Sequence, residues 1–234
     1  MASTDKMTDK ASAVLLKILC IHGYRQTGKT FREKTGSLRK ALKKHAEFVY
    51  MDAPNLIKSK SDESAATNEE RGWWFSDSEG GFRAAEKTEV NPGYNESVET
   101  IAEALKEQGP FDGVLAFSQG AAMLALICGL KEQGDTRFQF NFAILVAGFR
   151  SLSSGHDNCF REKITFPTLH VFGDTDQVIP KESSEEMLQY FTEPVVLHHT
   201  GGHYVPATSA EKKVYIPFLE AQVKRKKEES ETNS

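Results

Sequence analysis

Cysteine is scarce in this chain, with three in 234 residues, and Cys20, Cys128 and Cys159 show no metal-like spacing. The odd number argues against a disulfide framework. The settings, a strand-like apolar run around Cys20 and a helical one around Cys128, imply buried thiols in a reducing, intracellular compartment. A charge excess is also missing. The formal net charge of −4 gives no reason to expect a nucleic acid partner. Long apolar runs are absent too. VLLKILCIH falls well short of the ~20 residues that span a bilayer. It follows a polar segment of mixed charge, so it reads as neither a stable membrane insertion nor a secretory signal. No internal repeat is visible.

What is present suits one soluble domain. Hydrophobic residues make up 39% and charged residues 26%, at a length that supports a sizeable core. We expect a single domain at 15–226, with an irregular insertion or partial lid at 55–94 and flexible termini at 1–14 and 227–234. The terminal KRKKEESETNS reads as a solvated helix end or tail, with a nuclear address as the alternative. The expected location is cytoplasmic, with nuclear access left open.

Short β-rich runs alternate with longer helical ones. KILCIH (17–22) and EFVYMDAP (47–54) read as strands. Phe31, Leu38 and Leu42 sit at helical spacing in 30–44. The run 95–109 predicts a helix capped by Asn95, with a stripe of Val98, Ile101, Ala102 and Leu105, closed by Gly109 and Pro110. FDGVLAFS (111–118) is a strand that leads directly into a helix. Further strands are expected at 140–149, 168–174 and 194–200, and helices at 182–191 and from 207 to about 226. Continuous runs such as VLAF and FAILVAG imply strands buried on both faces. The fold class is therefore α/β, a mostly parallel sheet with helices on both faces.

Ser118 ends one such strand in AFSQGAA and is either a helix cap or a nucleophile. A nucleophile elbow, G-x-S-x-G, needs small neighbours because its turn is sharp. Gly120 meets that need, and Ala116 replaces the first glycine. A serine hydroxyl needs a base and an acid, in the order Ser, Asp, His. GDTDQVIP follows one strand and GGHYVP another, supplying Asp176, preferred over Asp174, and His203. His170, His198 and His199 lie within strands, and His45 and His156 have no accompanying motif. In IHGYRQ the N–H of Tyr24, paired with that of Gln119, is the expected oxyanion donor set, and His22 is expected to brace its loop. Trp73, Trp74 and Phe75 either pack as a satellite core under the insertion or line a substrate cavity. Phe82, Phe149 and Tyr24 are candidates for the same apolar slot. These roles require no metal and no organic cofactor.

LCIHGYRQTGKTFREKTGSLRK, AFSQGAAM, FGDTDQVIP and GGHYVP together resemble the serine hydrolases related to the ovarian cancer-associated gene 2 protein. The resemblance runs from about 18 to 218, with HGYRQ and ERGWWFS its most distinguishing segments, and suggests an animal member. It implies an α/β-hydrolase fold, a catalytic triad at Ser118, Asp176 and His203, and hydrolysis of small-molecule carboxylic esters with long alkyl or acyl chains. A thioesterase acting on acylated proteins or acyl-coenzyme A uses the same machinery. Lys29, Lys34, Arg39 and Lys40 are a patch for the coenzyme's phosphates or a solvated helix face. A non-catalytic ligand-binding scaffold is the other alternative, and the oligomeric state is left open.

Overall fold

The computed structural model describes residues 14–57 and 69–232. Most of the expected N-terminal tail and residues 58–68 of the expected insertion lie outside the described residues. Among those described, six strands form one sheet: β1 (Leu16–Ile21), β2 (Ala46–Met51), β5 (Gly113–Phe117), β6 (Phe142–Val146), β7 (Thr168–Gly173) and β8 (Val195–His199). Their order is β2-β1-β5-β6-β7-β8, and every adjacent pair is parallel. A short antiparallel pair, β3 (Asn55–Leu56) and β4 (Arg71–Gly72), stands beside it.

Alternate residues of β1, β5 and β6 enter two separate cores. Leu19, Ile21, Val114, Ala116 and Leu145 pack on one face, beneath α3 (Tyr94–Gln108) and α4 (Gln119–Glu132). Ile18, Cys20, Leu115, Phe117 and Ile144 pack on the other, against α1 (Gly28–Lys34), α2 (Gly36–Leu42) and α6 (Ser209–Thr232). With both faces covered, neither set of positions in β5 and β6 is left polar, and these strands read as continuous apolar runs. The helix α5 (Lys181–Met187) completes the α-helices among the described residues, which also hold short 3-10 helices at Ser154–Phe160 and Leu188–Tyr190. The three cysteines are free and buried.

The structure departs from the sequence pattern at several helix ends. The helix expected across 30–44 is two helices broken at Thr35. The buried Thr35 hydroxyl donates to Phe31 O (2.7 Å) and accepts from the Tyr50 hydroxyl (2.6 Å), so this side chain turns back onto its own helix. Asn95 does not cap α3. Gly93 does, in the left-handed region at φ 84°, and Asn95 sits inside the first turn. Residues 227–232, expected as a tail, continue α6 to Thr232. Trp73 and Trp74 belong to the main core on the α3–α4 face rather than to a satellite cluster.

Four histidines are buried, His22, His156, His170 and His199, and the first three are the most deeply enclosed. His170 packs edge-on against Phe191 at 4.4 Å, and neither ring nitrogen has a hydrogen-bond partner among the described residues. Burial disfavours the imidazolium, lowering His170 from its ordinary 6.5 to about 3 and His22 and His156 to about 4. Below pH ~6.5 the unfolded chain therefore binds protons that the folded chain refuses. The stability these groups contribute is complete above that pH and is lost as pH falls toward 4 and then 3. We expect the thermal midpoint to decline steadily from pH 6.5 to 4, and His170→Leu to flatten part of that slope. A midpoint that is level across the window would contradict this.

Candidate active site

The carboxyl ends of β1, β5, β7 and β8 share one edge of the sheet, and the chain order reverses between β1 and β5. Such a switch point opens a crevice where loops from neighbouring strands diverge. Ser118 stands there, directly after β5, at φ 56° and ψ −121°. Its N–H donates to Val146 O of the adjacent strand (2.8 Å), and its carbonyl accepts the first helical bond of α4, from Ala122 N (3.0 Å). The N–H groups of Gln119, Gly120 and Ala121 precede that bond, so the helix offers them no acceptor. The small residue at 120 has a concrete cause. A Cβ there would lie 2.3 Å from His22 O and 2.7 Å from Ile21 O, both rigid backbone.

Asp176 and His203 come from the loops after β7 and β8, which pair side by side. Asp174 N–H donates to His199 O and Thr175 N–H to Gly201 O, joining the two loops. Asp176 is buried, and its carboxylate is fully partnered. Oδ1 accepts from the N–H groups of Val178 (2.8 Å) and Ile179 (2.9 Å), and Oδ2 lies 2.7 Å from His203 Nδ1. A carboxylate only accepts, so Nδ1 carries the proton in the neutral imidazole. Nε2 is then free to accept from the Ser118 hydroxyl at 3.0 Å. The Phe117 ring lies 4.7 Å from the imidazole. Ser118, His203 and Asp176, separated by up to 85 positions, thus form one hydrogen-bonded path.

Asp174 stands apart from this path, half-exposed, 3.4 Å from Lys181 and 3.7 Å from His198. His22 lies in the loop between β1 and α1. Its Nε2 accepts from Ala53 N–H (2.9 Å), so Nδ1 is the protonated nitrogen and donates to Gly23 O (2.8 Å). His199 is buried and its Nδ1 accepts from Gly201 N–H, bracing the His203 loop. His45 is at the opposite, amino end of β1.

The loop 22–26 lies against the elbow. A Cβ on Gly23 would be 3.1 Å from Phe117 Cδ1 and 3.3 Å from Ser118 Cβ. Around Tyr24 the neighbouring N–H groups are engaged, Gly23 with Gln26 Oε1 (3.1 Å) and Arg25 with Arg71 O (2.9 Å). The Tyr24 ring meets Phe82 at 5.3 Å, and Phe82 meets Trp74 at 5.2 Å and Phe149 at 6.2 Å. Phe82 and Tyr24 are only partly buried. Trp73 differs from the expected cavity lining. It is fully buried and its indole N–H donates to His22 O (2.7 Å), so no face of it reaches an open slot. Phe75 is also buried, its N–H on Pro92 O. Lys29, Lys34 and Lys40 are exposed along α1 and α2, and Arg39 donates to Arg32 O. Asn55 and Ser97, which no motif singled out, both donate to Trp73 O.

A family model described as serine hydrolase (FSH1) matches residues 11–215. Esterase OVCA2 of Xenopus tropicalis is 47% identical over 227 residues, covering 94% of this chain and 98% of that protein. Esterase OVCA2 of Danio rerio is 49% identical over 222 residues, covering 89% and 98%. The crystal structure of Zea mays acyl-protein thioesterase 2 superposes with a TM-score of 0.62 at 17% identity, covering 91% of this chain and 95% of that one. That last likeness is one of fold.

The packing around residue 120 generates a prediction of its own. Gly120→Ala must push β1 and α4 apart at the elbow, and we expect a loss of about 1–3 kcal/mol in urea unfolding. Wild-type stability in that variant would show that the elbow has room to spare.

Proposed function

The chain belongs to the serine hydrolase (FSH1) family, has the α/β-hydrolase fold and is a carboxylic-ester hydrolase, and on that premise we propose that Ser118, His203 and Asp176 carry the reaction on esters with medium to long apolar chains. The observation that carries this reading is the unbroken path from Asp176 Oδ2 through the imidazole to Ser118 Oγ, at 2.7 and 3.0 Å. Ser118 Oγ attacks the ester carbonyl carbon while His203 Nε2 takes the hydroxyl proton. Asp176 holds Nδ1–H in place and stabilises the imidazolium. The negative charge that develops on the carbonyl oxygen falls to the N–H groups of Tyr24 and Gln119. Collapse expels the alcohol, which leaves with the proton from His203. Water, deprotonated by the same nitrogen, then releases the acid and regenerates Ser118.

The acid at 176 is held without freedom to turn, since its second oxygen is occupied by two backbone donors. This fixes the imidazole tautomer before substrate arrives, so little reorganisation is needed during attack. The preference for apolar chains is supported by the partly buried rings of Tyr24 and Phe82, the second packed on the buried Phe149. Tyr24 contributes its backbone to the proposed oxyanion site and its ring to this surface, which puts the two next to each other. A thioester passes through the same steps, so p-nitrophenyl esters and acyl-coenzyme A compared side by side distinguish the leaving groups.

Ser118→Ala and His203→Ala are expected to lower ester turnover ~10³-fold or more, and Asp176→Asn by roughly 10³- to 10⁴-fold. Any of them turning over at the wild-type rate removes that residue from the mechanism. Across a series from acetate to decanoate, kcat/KM should rise by up to ~0.8 kcal/mol per buried CH₂, to a limit. Phe82→Ala should reduce the slope. A flat wild-type profile would dispose of the apolar surface as a binding site.

A further inference from the structure

The segment ERGWWFS is not used by the proposed chemistry, yet it is bonded to both halves of the anion site. Gln119 is fully buried, and its side-chain amide clasps one dipeptide. Its Oε1 accepts from Trp73 N–H at 2.9 Å and its Nε2 donates to Trp74 O at 2.7 Å. One end faces a donor and the other an acceptor, so the amide fits in one orientation only. The indole N–H of the same Trp73 donates to His22 O at 2.7 Å. Gln119 follows the elbow serine, and His22 stands two residues before Tyr24. A single residue therefore touches the chain at each proposed oxyanion donor.

The brace is itself held. Trp73 O accepts from Ser97 Oγ at 2.5 Å and from Asn55 Nδ2 at 3.2 Å, which fasten it to α3 and β3. These bonds are shielded from water, with Trp73 at 0% and Trp74 at 2% exposure. Water cannot replace a lost partner there, so each bond resists displacement more than a surface bond would. Nothing else in the proposed chemistry calls for a carboxamide at 119, because the oxyanion contact proposed there uses the backbone.

We propose that the side chain of Gln119 and the indole of Trp73 are positioning residues that set the separation of the Tyr24 and Gln119 N–H groups for the transition-state oxyanion. The inference rests on the proposed assignment of those two donors. Gln119→Met keeps the volume and removes both amide bonds. Trp73→Phe keeps an aromatic ring and removes the bond to His22 O. A donor displaced by a fraction of an ångström loses most of its contribution, so each variant should lower kcat by roughly 10- to 100-fold with KM within about 3-fold.

The decisive readout is a trifluoromethyl ketone. Ser118 Oγ adds to its carbonyl carbon, the hydroxyl proton passes to His203, and the resulting alkoxide occupies the oxyanion site. Its inhibition constant should rise by the same factor by which kcat/KM falls, in protein shown to be folded by circular dichroism. A kcat within about 2-fold of wild type in both variants, or a fall in kcat with unchanged ketone affinity, would overturn the proposal. Wild-type turnover that survives Ser118→Ala would instead bring down the proposed function, so the two failures are distinguishable. Because the variants remove different bonds, loss of folding in one leaves the other to decide.

Discussion

A serine at φ 56° and ψ −121° pays in backbone energy for where its hydroxyl points, of order 1–3 kcal/mol. Ser118 can hold that conformation because its surroundings leave no alternative. Its N–H is bonded to β6, its carbonyl starts α4, and the backbone of Gly120 is pressed against the carbonyls of Ile21 and His22. The strain raises the hydroxyl above the carboxyl edge of the sheet, where two further loops can reach it. Without the turn, the side chain would lie along the strand and meet the core.

The electrostatics around that hydroxyl separate the histidines by environment. His22, His156 and His170 are sealed in apolar surroundings that keep them neutral well below their ordinary range. His203 keeps about a fifth of its side chain exposed and has an acid at one nitrogen and the serine at the other. A proton taken up there has a counter-charge waiting. The same chemical group is a structural brace at position 22 and the proposed base at 203, and the difference lies in what each ring nitrogen faces.

Much of this was legible in the chain. The continuous apolar runs at β5 and β6 announced strands buried on both faces, and the alternation of strands and helices announced a parallel sheet. Small residues on both sides of Ser118 were a sign of close approach, and Gly120 meets two carbonyls where any side chain would collide. Two of the departures at helix ends turn on single residues. Thr35 bonds back to Phe31 and interrupts a well-spaced helical pattern, and Gly93, in the left-handed region, holds the N-cap position expected of Asn95. Both are local backbone choices, which a pattern of apolar spacing does not weigh.

The sequence by itself determined the layered fold and the nomination of Ser118, Asp176 and His203, because burial on two faces and a strand-end nucleophile both leave marks on neighbouring residue types. Tertiary structure alone decided the fate of Trp73 and Gln119. One was a candidate wall of a cavity and the other a backbone donor, and the fold bonds them to each other across 46 positions inside the core. A hydrogen bond between distant buried groups leaves no periodic trace in a chain. It exists only once the sheet has brought β1 beside β5 and closed water out.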